Sequence, residues 1–553
     1  MLHQAFRVVV SAVVAAGMAG ATALCGAMPS SAAVVATPEP TSRPSVGPVV
    51  PAALAAAASA AQKLDVVVAT PKGRSVASVK SWITQADVQS LVADVSTYWS
   101  AQSGGKVTFT LAALAYLPSA TASCATDSGV TSLWSAASKQ LFHQDWWKGP
   151  GGPTSRQHLV VLYPYAPGDL TGSSTCAGTL GVGTVPDSGA SIADGGLTFA
   201  LFGGQEGAAA GSAAKARAGQ RQYYAARQTL AHELGHNFGL EHSGTAWCDP
   251  APVDGSYGSS ACVDLTYVDV FDPMGGGTGS KGVAPLSTPD KLRLGLLPAN
   301  RRRTETAAAT TRFTLGAVEN GGAGNGSLQS IAAVDPKTHE RYYIEYRRPS
   351  AGLPGTLPKL KVRDARGMLD TYTFGYGVRI LRIAPTNADS ISPWAGSSEQ
   401  LIVPIGSATS RTSYLPAGKT FITRSGTLKI TAGQSGATSA PVTITIVGAR
   451  PTMTLTRSHA TQTAGGTPVT VTATLPATYG SAPTGTVMFH QGSKVLATVQ
   501  VRSGKASYTL PRSATVGTHI IGAAYRPDAA AQSRAILSAT AAVGVPVVKV
   551  VRH

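Results

Sequence analysis

HELGHNFGLEH, residues 232–242, is the stretch of the sequence that constrains the fold most strongly. On a helix, His232 and His236 share one face with their Cβ atoms about 5 to 6 Å apart, close enough to bind one Zn²⁺ together. If the helix continued, His242 would lie about 9 Å further along the axis than His236, too far to join the same ion. The chain must therefore turn. Gly239 can adopt the left-handed conformation that ends a helix and brings His242 back as a third ligand.

The same stretch predicts a reaction. Three neutral imidazoles would leave the fourth tetrahedral position of zinc open to water, which is typical of catalytic rather than structural zinc. Glu233 follows the first ligand directly and can hydrogen-bond that water without binding the ion. Its carboxylate would take a proton as the water attacks a carbonyl carbon and then deliver that proton to the leaving amine. We therefore expect peptide-bond hydrolysis with Glu233 as the general base.

The spacing HExxHxxGxxH resembles the signature of the metzincin clan of zinc endopeptidases at every fixed position. This resemblance implies a methionine beneath the metal, for which Met274 in DPMG (272–275) is the counterpart. DPMG, LSTPDKLRLGLLP (286–298) and YYIEYRRP (342–349) are similar to the gametolysin-like family, and the similarity spans roughly residues 64–383. Two features of the clan have no counterpart here: a cysteine-switch prosegment, and the tyrosine that astacin-like members have two residues after this methionine.

Residues 61–300 are predicted to form the metzincin-like catalytic domain, an α/β (α+β) unit in which strands and helices alternate. Thr84 is expected to cap a helix that ends at Gly104, and another helix is expected to open at Asp127 or Ser128. A peptide substrate is expected to bind in extended form beside an edge strand above the zinc helix, with GLTFALF as the candidate. The predicted strands are LDVVVAT (64–70), KVTFTL (106–111), HLVVLY (158–163) and GLTFALF (196–202).

The rest of the chain is predicted to be all-β. After about residue 300, helical periodicity gives way to short strand-like runs separated by turn residues, which is typical of β-sandwiches. We place one sandwich at 301–448 and a second at 449–553. The second contains GTVMFHQGSKVLATVQVRSGKASYTLP (485–511), which resembles bacterial immunoglobulin-like repeats. The predicted fold class is a multidomain chain with an α/β zinc protease domain followed by two all-β sandwich domains.

The N-terminus is typical of an exported protein. Residues 1–33 join a basic start to an apolar run and a Ser/Ala cleavage site, the pattern of a signal peptide. A membrane anchor is the alternative, but the run is rich in Ala and Gly. Residues 34–60, rich in Ala, Pro, Ser and Val, are predicted to be a linker or short propeptide. We expect a secreted, extracellular protein with no transmembrane anchor after signal cleavage.

Cysteine usage agrees with export. Removal of the signal peptide would leave four cysteines, an even number in an oxidising compartment, and two disulfides are the natural inference. Three pairings are possible. We favour Cys248 with Cys262, which closes a short loop beside the histidines, and Cys124 with Cys176. No CxxC spacing occurs, so the cysteines are not expected to bind metal.

The composition and charge of the chain limit the partners that it can be expected to bind. Hydrophobic residues make up 43% and charged residues 13%, which favours ordered globular domains over a disordered chain. The net charge is +17, and from position 451 onward the chain has nine basic residues and a single acidic residue, Asp528. That end could hold the protein to an anionic cell wall or polysaccharide, although a solvated basic face is the default; no specific nucleic acid is implied. Asp264, Asp269 and Asp272 can supply oxygen ligands for Ca²⁺, but their spacing matches no standard calcium loop.

Two other functions are compatible with the sequence. The chain could be a cell-surface adhesion protein whose β domains carry the function on a vestigial protease fold. The intact Glu233 argues against this, because metal-stabilised structure alone does not need that base. A zinc hydrolase that acts on cell-wall peptides is the second alternative, and comparing release of wall peptides with cleavage of protein substrates would distinguish it.

Overall fold

A computed structural model of the chain describes residues 6–11 and most of residues 61–552. The predicted linker at 34–60 and nearly all of the predicted signal peptide lie outside the described residues. Within 61–552, the longer stretches outside them are 119–123, 147–152, 165–175, 204–212, 249–253, 256–261, 276–281, 321–326, 351–356, 364–368, 384–397 and 405–409.

The N-terminal region is a six-stranded sheet with helices on both faces. The strand order is β1-β5-β6-β4-β2-β3; β2, β3, β4 and β6 run parallel, and β5 is antiparallel to β6. Side chains of β2 alternate between two cores, since Leu64 and Val66 pack with α2 and α4 while Val67 packs with α3. The elements are β1 Phe6–Ser11, β2 Gln62–Val68, α1 Val76–Trp82, α2 Gln85–Ser103, β3 Phe109–Tyr116, α3 Asp127–Phe142, β4 Gln157–Pro164, β5 Gly181–Pro186, β6 Gly196–Phe202 and α4 Ala213–Asn237.

Local sequence signals account for the helix ends. Thr84 and Asp87 form a reciprocal capping box at the start of α2, and Gly104 ends the helix with a φ of 62°. These ends are as predicted. Helix α3 begins at Asp127, one of the two predicted starts, and Thr126 is its N-cap, because the side chain of Thr126 accepts a hydrogen bond from the backbone N–H of Gly129.

GLTFALF is not the edge strand that we expected. This strand, β6, is hydrogen-bonded to β4 on one side and to β5 on the other. The sequence of β5, GVGTVP, has two glycines and gave no strand prediction. On its other side β5 pairs antiparallel with β1 through six residue pairs. Because β1 lies within the predicted signal peptide, cleavage near residue 33 would leave β5 as the edge of the sheet.

The second region is a β-sandwich. Its larger sheet has the order β8-β7-β16-β15-β12-β11-β9 and packs an apolar face against the sheet β10-β21-β20-β19, while β13-β14-β18-β17 form a smaller sheet. The elements are β7 Ser243–Cys248, β8 Cys262–Leu265, α5 Thr288–Arg293, β9 Arg302–Glu305, β10 Ala309–Gly316, β11 Ser330–Val334, β12 Arg341–Arg347, β13 Lys359–Arg363, β14 Leu369–Thr373, β15 Gly377–Ile383, β16 Ser398–Leu401, β17 Val403–Pro404, β18 Ser410–Thr412, β19 Thr420–Ile422, β20 Leu428–Ala432 and β21 Ser439–Ile446, with 3-10 helices at Ala299–Arg301 and Val318–Asn320.

The sandwich is not separated from the first region at residue 300. Strands β7 and β8 precede that position, yet β7 pairs in parallel with β16 and so belongs to the seven-stranded sheet. Residues that directly follow His242 are therefore hydrogen-bonded to residues some 150 positions later. The predicted boundary near residue 300 cuts through one sheet.

The C-terminal region is a β-rich unit with an apolar core of its own. Its sheets have the orders β27-β24-β22-β30, β23-β31-β28 and β26-β25-β29. The backbone of Ala449 is hydrogen-bonded to those of Ala535 and Leu537, which fixes the start of this unit to its own end. The elements are β22 Met453–Arg457, β23 Thr461–Thr463, β24 Thr470–Thr474, β25 Gly485–Gln491, β26 Lys494–Gln500, β27 Lys505–Thr509, β28 Gly517–Ile520, β29 Gly522–Pro527, α6 Ala529–Gln532, β30 Ala542–Val543 and β31 Val547–Val551.

Two disulfides lie within the described residues. The structure pairs Cys124 with Cys176 and Cys248 with Cys262, as we favoured. Among the described residues, no helix has both the length and the apolar character needed to cross a membrane.

Candidate metal centre

Three histidines converge at the C-terminal end of α4. One ligand nitrogen from each of His232, His236 and His242 lies within 4.8 Å of the others, and all three side chains are buried. The Nε2 atoms of His236 and His242 are 3.1 Å apart. In the part of the chain that the structure describes, this is the one group of His, Cys, Asp or Glu residues able to hold a metal ion.

The turn after α4 brings the third histidine back. Helix α4 ends at Asn237, and Gly239 has a φ of 83°, the left-handed conformation expected for this position. A side chain would also not fit, because a Cβ on Gly239 would come within 2.7 Å of the Cα of Ala190. The N–H of Leu240 donates to the carbonyl oxygen of Gly235 and closes the turn. His242 then follows two residues later.

Backbone carbonyls orient two of the imidazoles. Nδ1 of His232 lies 2.6 Å from the carbonyl oxygen of Pro273, and Nδ1 of His236 lies 2.8 Å from that of Leu240. A carbonyl only accepts, so each Nδ1 carries the hydrogen and each Nε2 keeps its lone pair. This arrangement is typical of histidines that bind a metal ion.

Burial keeps the imidazoles neutral. It lowers the pKa of His232 to about 4, and the hydrogen bond to Pro273 opposes this only in part. The pKa values of His236 and His242 are also well below the usual range, because both rings are buried and stand next to the other imidazoles. Neutral imidazole is the form that binds metal. The donor set therefore fits a zinc ion.

Glu233 is buried between the histidines and β5. The backbone of β5 passes so close that a Cβ on Gly181 would collide with the carboxylate of Glu233. A Cβ on Gly183 would lie 2.7 Å from the carbonyl oxygen of Glu233 and 2.9 Å from the Cβ of His236. The two glycines of GVGTVP thus let a strand approach the site at the level of the carboxylate.

Met274 lies in a buried loop beneath the histidines. Its Sδ packs so close to Gly235 of α4 that a Cβ there would be 2.5 Å from the sulphur. The preceding carbonyl, that of Pro273, is the one that orients His232. The carbonyl oxygen of Met274 accepts from the N–H of Ser243, next to His242. The loop is therefore in contact with both ends of the histidine cluster.

Sequence reasoning missed two residues at the site. The ring of Tyr267 lies 4.1 Å from that of His242, and the backbone of Tyr267 is left-handed, with a φ of 61°. Tyr267 lies seven residues before Met274 and belongs to no motif of known spacing, so the sequence did not predict that it would lie at the site. Asn237 accepts from Thr198 and lies 3.0 Å from Nδ1 of His158, which joins the end of α4 to β4 and β6. His158 itself is a buried core residue.

The acidic residues considered for calcium have other partners. Asp269 binds the guanidinium of Arg379, and Asp272 accepts from the backbone N–H groups of Met274 and Ser287. The side chain of Asp264 lies outside the described part of the chain. For Asp269 and Asp272, the two whose side chains the structure describes, it gives no support for a calcium site.

Comparison with known proteins agrees with this site. Residues 61–267 match the model of metallo-peptidase family M12, and residues 455–545 match that of the bacterial Ig-like domain, group 3. No curated protein matches the chain. Among solved structures, wild-type OgpA from Akkermansia muciniphila aligns over 84% of this chain and 99% of its own at 12% identity; its TM-score of 0.25 is too low to support an inference.

Fold and site together define a metallopeptidase domain followed by a β-rich region. More specifically, residues 61–267 are similar to metallo-peptidase family M12, and residues 455–545 are similar to the bacterial Ig-like domain of group 3. Peptidases of family M12 use zinc, which agrees with the histidine cluster. The predicted fold class, a zinc protease domain followed by β-sandwich domains, is confirmed.

Proposed function

We propose that the chain is a secreted zinc endopeptidase that hydrolyses peptide bonds of extracellular proteins, with His232, His236 and His242 as the metal ligands. The convergence of three buried imidazoles is the observation that carries this proposal. The two disulfides and the bacterial Ig-like domain are compatible with an extracellular location.

Glu233 is the proposed general base. A zinc ion held by the three histidines would act as a Lewis acid and would make a water molecule easier to deprotonate. The carboxylate of Glu233 follows the first ligand in α4 and is buried beside it, so it can take the proton of the attacking water. The same carboxyl group then donates that proton to the amine of the departing peptide.

Strand β5 is the proposed substrate-binding edge. In the structure β5 already accepts an antiparallel strand, with Gly181 opposite Ser11 and Gly183 opposite Val9. An extended peptide can use the same backbone groups once the N-terminal segment is removed. Because Gly181 and Gly183 contact Glu233, such a peptide would lie with its backbone near the base.

Replacement of Glu233 by Gln tests the proposal. The variant should bind one zinc per chain, as the wild type does, and should cleave peptides about 10² to 10⁴ times more slowly, as expected on loss of a general base. His232→Ala is the matched variant that should lose zinc as well as activity. Zinc content and cleavage of a peptide library would be measured on all three proteins. A Glu233→Gln protein with full activity would contradict the mechanism.

A further inference from the structure

The seven-stranded sheet presents two unlike faces. Side chains of Ile344 and Ile380 point into the sandwich core, whereas the alternate residues Glu345, Arg347 and Arg379 point the other way, towards the first region. Glu345 and Arg379 are direct partners in the pairing of β12 with β15. These three charged side chains are fully buried.

A chain of charged contacts runs from this face to the loop that holds Met274, residues 269–275. The guanidinium of Arg379 donates to Glu345 at 3.0 Å and to Asp269 at 2.6 Å. It also lies over the ring of Phe271, with its Cζ 4.8 Å from the ring centroid. Arg347 donates to the same oxygen of Glu345 at 2.7 Å. Arg379 thus holds the start of the loop from the side of the sandwich.

The loop in turn orients the histidines. Asp269 accepts from the N–H of Phe271, and the carbonyl of Pro273, two residues further on, orients His232. A second link comes through Glu345, whose other oxygen accepts from the N–H of Thr288 at the start of α5. The preceding N–H, that of Ser287, donates to Asp272 in the loop.

The two arginines keep Glu345 ionised inside this buried network. Burial alone would raise the pKa of Glu345, but the adjacent guanidinium groups of Arg347 and Arg379 hold it near 2. Removing one partner of such a buried group leaves the others without compensation. The loop could therefore not keep its position if Arg379 were lost.

From these contacts we infer that Arg379 and Glu345 are positioning residues for the metal centre: the sandwich sheet holds the 269–275 loop, and through it the imidazole of His232. The inference rests on the proposed function, since it assigns the same three histidines to zinc. If so, the seven-stranded sheet supports the metal centre and is not an accessory domain with a separate role.

Arg379→Met in the full-length mature protein tests this, with Arg382→Met as the control. Arg382 is on the same strand and is equally buried, but it points to the other face and donates to the backbone of Asp254 and Gly255. Both substitutions should lower the Tm. Only Arg379→Met should weaken zinc binding, by about tenfold or more, as outer-sphere changes do. Arg379→Lys, which keeps the charge, should recover part of that loss.

Zinc affinity would be measured by competition with a chelator, and the visible spectrum of the cobalt-substituted protein would report the ligand geometry. An Arg379→Met protein with wild-type zinc affinity and cobalt spectrum would overturn the inference, as would equal losses in both variants. If Arg379→Met does not fold, Asp269→Asn, which keeps the shape of the side chain, gives the same readouts. These measurements need no peptidase activity, so a zinc-binding wild type that cleaves nothing would contradict the proposed function alone.

Discussion

At the scale of single residues, the site depends on the absence of a side chain as much as on the groups present. Gly181 faces the carboxylate of Glu233 with no room for a Cβ. The strand that we propose for substrate binding can approach Glu233 only because this residue is glycine. Its backbone is ordinary extended chain, so the requirement is one of space and not of conformation.

Gly181→Ala should displace the Glu233 carboxylate or push β5 away from it. We expect peptide cleavage to fall about 10²-fold, the lower range for loss of a general base, with zinc content unchanged. Gly436→Ala is the control, because a Cβ there would make only an ordinary contact at 3.6 Å. Cleavage rates and zinc content would be compared for both variants. A Gly181→Ala protein as active as the control would show that the strand does not constrain the base.

The histidines were predictable and Gly181 was not, for a physical reason. The ligand spacing is local, since His232 and His236 are one helical turn apart and Gly239 sets the turn to His242. The contact of Gly181 with Glu233 joins residues 52 positions apart and leaves no periodic trace in the sequence. The same holds for Tyr267, whose ring reaches His242 from a separate loop.

At the scale of elements, a buried polar network fixes α4 to the sheet. The amide of Asn237 donates to the carbonyl oxygens of Thr184 in β5 and Leu197 in β6, and its oxygen lies near His158 in β4. Three strands are thus hydrogen-bonded to Asn237, the last residue of α4. The periodic spacing of apolar residues predicted α2 and β4. It could not predict the hydrogen bonds of Asn237 and His158, because a single polar residue forms no periodic pattern.

This network should make the protein sensitive to acid. Burial lowers the pKa of His158 to about 4, against 6.5 for an exposed histidine, and the hydrogen bond to Asn237 opposes the shift. The depressed folded-state pKa means that the stabilisation is full above pH 6.5 and is lost as the pH falls towards 4, because the unfolded chain then takes up the proton first. The shift corresponds to about 3 kcal/mol of unfolding free energy.

His158→Gln removes this titration and should flatten the decline in unfolding free energy between pH 6.5 and 4, relative to the wild type. Denaturant unfolding at several pH values would measure it. His143→Gln is the control, because that histidine is exposed at the end of α3. Equal slopes for His158→Gln and the wild type would contradict the account of His158.

At the scale of the whole molecule, the peptidase and the sandwich are one unit. Strand β7, directly after His242, pairs with β16, and Arg379 of β15 binds Asp269 in the loop beneath the metal site. Sequence patterns placed the β-rich region correctly but put a boundary near residue 300. That boundary followed the change from helical to strand periodicity, which is blind to strands that pair across long separations.

Truncation should show whether the peptidase and the sandwich form one unit or two domains with a boundary near residue 300. A protein of residues 34–451, without the C-terminal unit, should keep zinc and peptidase activity, because the contacts of the metal centre described above all lie before residue 400. A protein of residues 34–300 should not fold to a zinc-binding form, since β7 loses its partner strand and Asp269 loses Arg379. Soluble yield, Tm and zinc content would be measured. A shorter fragment with the Tm and zinc content of the longer one would contradict the single-unit account.

X-ray absorption at the zinc K-edge of the wild-type protein is the most direct test of the central claim, that three histidines bind one zinc ion. The spectrum should show a shell of four nitrogen or oxygen atoms at about 2.0 to 2.1 Å, with imidazole scattering from three of them. His242→Ala should reduce that scattering. A sulphur shell at about 2.3 Å would contradict the claim, and so would a wild-type protein that holds no zinc after purification and reconstitution with the metal.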